Sequence, residues 1–173
     1  MSIRVGIIGC GKIAQVRHIP EYLANPHVEL YGFYDINQAR TEELAKKYGG
    51  KAFASYEELL ADETIEAVSV CAANHVHAEI TVAALKAGKH VYSSVPCATD
   101  IDEIIEIERL VRETRLTYSM GETGYYRPPA IFCRREYRKG TFGKFTYGEA
   151  QYNHDIRNME QSFRSSGGED WKK

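Results

Sequence analysis

The chain has 173 residues, 43% of them hydrophobic and 27% charged, with a formal net charge of −2. That size suits one full domain and the start of another, and that charge supplies no basic field to draw nucleic acid or an anionic membrane. The apolar runs fall well short of the roughly 20 residues that span a bilayer, and the N-terminus enters a strand pattern without the basic and apolar regions of a signal peptide.

Cys10, Cys71, Cys97 and Cys133 are scattered with no C-x-x-C pair, and the six histidines show no metal-ligand spacing. These features predict a cytoplasmic protein with reduced thiols and no metal site.

Val5, Ile7 and Ile8 form a short apolar run suited to a strand buried on both faces. Gly9, Gly11 and Ala14 follow at the spacing G-x-G-x-x-A. Gly9 permits a tight turn, Gly11 lets a pyrophosphate approach the backbone, and Ala14 lets the next helix pack closely on the strand. Lys12 and Ile13 lie at the helix start, where unpaired backbone N–H groups and the positive end of the dipole face a phosphate. The motif also fits a tight turn in another α/β protein, but its context is specific. A second apolar run, Val28 to Tyr34, ends in Asp35, 24 residues after Gly11. That is near the spacing at which a carboxylate meets the adenosine ribose. Asp35 is followed by Ile36, with no arginine beside it, which predicts NAD over NADP; Arg40, the nearby cation, is expected to point away on its helix.

The first helix is expected from Lys12 to Ala24, with a kink or restart at Pro20. Asn37 is placed as N-cap of a helix from Gln38 to Tyr48, closed by a left-handed Gly49. Short strands are expected at Ala52–Phe53, Ala67–Cys71, His90–Ser93 and Thr117–Met120. Ser55 to Glu58 and Thr99 to Asp102 have the capping-box pattern. Asn74 is a candidate cap for a helix whose apolar stripe includes Val76, Ile80 and Ala84 and which Gly88 ends. Strands and helices alternate throughout, the pattern of a doubly wound parallel α/β sheet over residues 1–120. Past Met120 the pattern changes. A loop carries Tyr125, Tyr126 and Arg127, a helix runs from Pro128 or Pro129 to Lys139, and Gly140 and Gly143 frame a turn. Lys144 to Asn153 then alternates like a strand of an open, mostly antiparallel sheet, and Gln161 to Lys173 reads as a loop. Residues 121–173 are thus expected to be a linker and an incomplete second domain. Its unpaired strand predicts self-association through residues 144–153, or disorder there.

Four stretches together resemble the Gfo/Idh/MocA family of nucleotide-dependent oxidoreductases. They are Gly9 to Ala14, Ala67 to His77, Ala84 to Val91, and the Gly140 to Gly143 turn. The resemblance implies a Rossmann domain followed by an α/β domain whose open sheet carries the substrate face and forms a homo-oligomer. It implies NAD(P)-dependent oxidation or reduction of a sugar, inositol or related polyol. It places Asn74 near the nicotinamide ribose and counts His77, at the start of the next helix, among the cofactor-binding residues, where a histidine can also simply buttress the turn. The loop residues Tyr125, Tyr126 and Arg127 lie above the carboxyl ends of the strands and suit a sugar, or packing between domains.

One departure bears on catalysis. The family's Glu-Lys-Pro after the fifth strand is Ser94-Val95-Pro96 here, and Val95 cannot donate a hydrogen bond or move a proton. His77 and Tyr126 remain as candidate catalytic groups. The family's second-domain Asp and His would follow Lys173, so the chain as given is expected to bind cofactor without efficient turnover, with the full-length form an NAD-dependent oxidoreductase. Two alternatives stay open: a non-catalytic dinucleotide-binding regulator of the same fold, and a glycosidase that uses NAD transiently.

Overall fold

The computed structural model describes residues 2–151, 153 and 155. Six parallel strands form one sheet in the order β3-β2-β1-β4-β5-β6. They are β1 (Ile3–Ile8), β2 (Val28–Tyr34), β3 (Lys51–Ala52), β4 (Ala67–Val70), β5 (His90–Ser93) and β6 (Tyr118–Met120). Strand order runs outward in both directions from β1 and β4. Their carboxyl ends therefore flank a crevice, the topological switch point where open α/β sheets bind ligands.

The helices are α1 (Ile19–Ala24), α2 (Gln38–Tyr48), α3 (Tyr56–Ala61), α4 (His77–Lys86), α5 (Ile101–Thr114) and α6 (Pro128–Arg138). Successive strand residues face opposite sides, and two cores result. Ile7 joins Val5, Ala14, Ile19, Phe33 and Leu44 on one face. Ile8 joins Leu59, Val68, Val70, Leu85, Val91 and Ile107 on the other. Gly6 brings α3 close to β1, since a Cβ there would lie 2.7 Å from Leu59 Cδ2. Leu59 fills that space and is fully buried. Leu59→Ala is expected to destabilise the domain by about 2–5 kcal/mol, because a cavity beside a glycine has no neighbouring side chain to relax into it. Urea denaturation checks this; a midpoint unchanged from wild type would refute it.

Local signals set most boundaries. Asn37 Oδ1 accepts from Arg40 N, and Gly49 closes α2 at φ 78°. Ser55 Oγ accepts from Glu58 N, while the Glu58 carboxylate reaches back to Ala54 N at 2.9 Å. The box on α5 forms one residue later than the sequence pattern places it. Asp100 is the N-cap and Glu103 returns the bond, because Glu103 has the longer reach that Asp102 lacks. Asn74 does not cap α4. Residues Asn74–Val76 form a 3-10 turn and the helix starts at His77, which leaves the Asn74 side chain exposed.

Pro20 produces a π-turn instead of a break. Residues Ala14–His18 are π-helical, with Ile19 N donating to Ala14 O, and α1 follows with proline in its first turn. Proline lacks an N–H and its ring crowds the preceding turn, and widening that turn relieves both.

The expected antiparallel sheet is absent among the described residues. Residues 144–151 carry no strand pairing, and Phe145 and Tyr147 are 68% and 79% exposed. Alternation prepares a strand, but pairing needs a partner, and the described chain offers none. The Gly140 and Gly143 turn is present, both glycines having positive φ. The loop expected from Gln161 to Lys173 lies outside the described residues.

Candidate functional site

The crevice is built on Gly9, at the exit of β1. Its φ is +92°, and a Cβ would fall 2.4 Å from Ala72 N and 2.5 Å from the Cys71 carbonyl carbon. The backbones leaving β1 and β4 therefore touch at this point. Gly9 N donates to Tyr34 O at 2.8 Å, and Cys10 N donates to Asp35 Oδ2 at 2.7 Å. These two bonds aim the loop across the end of β2. The first N–H groups of a helix have no partner within it; here they belong to Gly11, Lys12 and Ile13, on the rim of the crevice. Ala14 is fully buried beneath them. Burial, and secondarily the Asp35 carboxylate, push the Cys10 thiol up to about 12, so it stays protonated.

Asp35 is held from several sides. Oδ1 accepts from Asn37 N at 2.8 Å, and Asp35 N donates to Thr41 Oγ1 at 2.8 Å. The expected direction of Arg40 is corrected: its Nη1 lies 3.4 Å from both Asp35 oxygens. Side chains in the first turn of a helix lean toward its N-terminus, which carries Arg40 back over Asp35. Two backbone N–H groups and the Arg40 guanidinium therefore share the Asp35 carboxylate. The Arg40 guanidinium thus sets a positive charge directly beside the Asp35 carboxylate.

Across the crevice, His77 is 1% exposed. Its Nδ1 lies 2.7 Å from Pro96 O and its Nε2 lies 2.9 Å from Ala72 O. The ring ties the exits of β4 and β5 together and leaves no open nitrogen for a substrate. Its geometry is that of a buttress, and not that of an acid–base group in the crevice. Val95 is 44% exposed beside it. Tyr125, Tyr126 and Arg127 follow β6, two strands from β4. The two tyrosine rings meet edge-on at 5.1 Å, and Tyr126 is 73% exposed. The Arg134 guanidinium stacks on Tyr125 at 3.5 Å and bonds its carbonyl oxygen.

A polar network unmarked by any motif lies behind β4 and β5. His18 Nε2 is 3.3 Å from Ser94 Oγ, which is also 3.6 Å from Cys71 Sγ. Cys71 Sγ is 3.4 Å from Ser69 Oγ, and Tyr22 donates to Ser69 Oγ at 3.1 Å. The Tyr92 ring meets His18 edge-on at 5.3 Å. Burial lowers the pKa of His18, against a smaller opposing effect of Glu21. Burial raises those of Cys71 and Tyr92 and pushes Tyr22 up to about 12. A histidine on the sheet-facing side of the first helix is the one signal that could have marked this network.

Among the described residues no three His, Cys, Asp or Glu could hold a metal ion, and no helix is long and apolar enough to cross a membrane. The family model described as an oxidoreductase family with an NAD-binding Rossmann fold matches residues 3–122. The chain belongs to the Gfo/Idh/MocA family. The strand order and the Gly9–Asp35 loop are those of its NAD(P)-binding Rossmann domain. A myo-inositol 2-dehydrogenase of Thermotoga maritima is 30% identical over 126 residues, 72% of this chain and 36% of its own length. A glycosyl hydrolase family 109 protein 1 of Akkermansia muciniphila is 28% identical over 177 residues, 96% of this chain and 37% of its own. Among solved structures, the 3-ketoreductase KijD10 of Actinomadura kijaniata, in complex with NADP, matches with a TM-score of 0.74 at 29% identity. That match covers 83% of this chain and 46% of KijD10. The chain thus spans between about a third and a half of the length of these Gfo/Idh/MocA relatives.

Proposed function

We propose that this chain carries the cofactor half of an NAD-dependent oxidoreductase acting on a sugar, inositol or related polyol. The observation that carries the reading is the Gly9 loop at the switch point, hydrogen-bonded through Cys10 N to the Asp35 carboxylate. A bound nicotinamide would accept or return a hydride there. In this reading Gly9, Gly11, Lys12, Ile13 and Ala14 hold the pyrophosphate, Asp35 the adenosine ribose and Asn74 the nicotinamide ribose. Residues 1–120 form the dinucleotide-binding domain. Residues 121–173 begin the substrate domain, with Tyr125, Tyr126 and Arg127 toward the substrate. The protein works in the cytoplasm and self-associates through the exposed aromatic face at Phe145 and Tyr147. Sedimentation as a monomer at every concentration would remove that last element.

A second reading, a glycosidase that uses bound NAD transiently, is favoured by one observation. The hydrolase relative aligns over 96% of the chain and the dehydrogenase over 72%. Val95, in place of the family lysine, fits either reading.

One preparation separates them. NAD binding is followed by calorimetry, reduced-nicotinamide absorbance with a polyol and sugar panel, and aryl release with aryl glycosides. A net absorbance change supports the oxidoreductase, and aryl release without one supports the glycosidase. Binding with neither in the full-length form leaves the non-catalytic regulator, and failure to bind removes all three. For the chain as given, binding is expected with turnover below about 1 s⁻¹, under the ordinary enzyme range.

A further inference from the structure

We propose that Ser94 and His18 form an acid–base pair that moves the substrate proton Val95 cannot carry. The inference rests on the reading that a carbinol is oxidised in this crevice.

Position comes first. Ser94 directly precedes Val95 at the exit of β5, and its backbone N–H donates to Val70 O at 2.9 Å. It is half-buried and in contact with the buried His18. Its hydroxyl has one proton and two neighbours able to accept it, His18 Nε2 at 3.3 Å and Cys71 Sγ at 3.6 Å. When the proton points to Cys71, the Nε2–H tautomer of His18 can donate to Ser94. When it points to His18, the imidazole accepts and the serine oxygen is free to take a proton from the crevice side. A hydroxyl that can exchange donor and acceptor roles without breaking its network is what a relay requires.

Charge comes second. The groups facing His18 are Glu21 and Tyr22 from α1, Tyr92 from β5, Ser94 just after it, and, through Ser94, Cys71 after β4. The Cys71 thiol and both phenols stay protonated near neutrality, because burial raises each of them. His18 is the one member of this network that can gain a charge between pH 5 and 8.

Oxidation of a carbinol releases a hydride from carbon, passed to oxidised nicotinamide, and a proton from oxygen. In this pair the carbinol O–H bond breaks toward Ser94 Oγ, and the Ser94 O–H bond breaks toward His18 Nε2. The products are a carbonyl, reduced nicotinamide and a His18 imidazolium, which then loses its proton to solvent. The reverse sequence serves reduction.

The test uses single-turnover oxidation with protein in excess over NAD, so a slow rate is still readable. Wild type is expected to lose rate as pH falls, with a midpoint below the ordinary histidine value. His18→Gln, which keeps a hydrogen bond to Ser94 but cannot bind the proton, is expected to lower the rate by about 10²-fold and to erase that acid limb. Ser94→Ala is expected to do the same, with NAD affinity in both variants within about twofold of wild type. Retention of the rate and the limb in His18→Gln would overturn the pair. A second readout needs no turnover: the His18 imidazole titration followed by NMR. Ser94→Ala is expected to move it by about half a pH unit, and an unchanged titration would overturn the pair. If wild type binds NAD but oxidises nothing in a single turnover, the oxidoreductase reading and the pair fall together, whereas oxidation that keeps its rate and acid limb in His18→Gln overturns the pair alone.

Discussion

Gly9→Ala is expected to abolish dinucleotide binding and to destabilise the domain by about 2–5 kcal/mol. Two effects add. At φ +92° an L side chain is strained whatever space surrounds it. The new Cβ would also lie 2.4 to 2.6 Å from the Ala72 and Cys71 backbone, which cannot swing aside as a side chain could. Relief requires the exits of β1 and β4 to part, and that separation dismantles the crevice. Gly49→Ala supplies the control. Gly49 has φ +78° with nothing within 4 Å of its ideal Cβ, so conformational strain acts alone, at about 1–2 kcal/mol. Urea denaturation of both variants, with NADH fluorescence titration, reads the comparison. Equal destabilisation of the two would show that the contact with Ala72 carries no weight.

Arg40→Ala is expected to sharpen the preference for NAD over NADP by about tenfold. Asp35 alone would repel a 2′-phosphate. Two unit charges about 4 Å apart at an effective dielectric near 20 repel by roughly 4 kcal/mol, and screening leaves about 1–2. The Arg40 guanidinium, 3.4 Å from both Asp35 oxygens, offsets much of that. The wild-type preference for NAD is therefore expected to be modest. Removing the guanidinium weakens NADP while NAD, which lacks the phosphate, changes little. Arg40 is the cleaner probe of the pair, because Asp35 also accepts the Cys10 and Asn37 N–H groups and its loss would disturb the loop. Calorimetric titration of both cofactors measures the ratio. An unchanged ratio would remove Arg40 from cofactor selection.

Features encoded by neighbours in sequence were the legible ones. The apolar run to Ile8, the small residues Gly9 and Ala14, and the Asn37 and Gly49 caps each act within a few residues of their effect, and Asp35 stands at a fixed spacing from the loop, at the end of the next apolar run. Together they define the parallel sheet and the Gly9–Asp35 loop. Arg40 was misread because spacing along a chain does not state which way a side chain leans. The rule that first-turn side chains tilt toward the N-terminus would have placed it over Asp35. The contact between His18 and Ser94 joins residues 76 apart, and no local pattern pairs the two. The sequence leaves His77 between a catalytic group and a buttress, because its two carbonyl partners, Ala72 and Pro96, come together only when β4 and β5 pair. The alternation from Lys144 onward was real as a pattern, yet a strand is a property of two segments, and a single segment cannot supply both.

The π-turn before Pro20 sets a phase as well as accommodating a proline. One residue of α-helix is about 100° of rotation, and a π-turn absorbs one residue without that rotation accumulating. His18 closes the widened turn, and Tyr22 follows it by four residues, so both aim at the strands beneath. A straight α-helix of the same length would carry His18 about a quarter of the way around the axis, away from Ser94. The distance in sequence between the glycine loop and this imidazole is therefore not adjustable by itself. Deleting one residue between Ala14 and His18 keeps the aim only if the helix becomes regular, and inserting one loses it. Single-residue length changes in a stretch that touches no cofactor thus become a mechanical control on what faces the crevice.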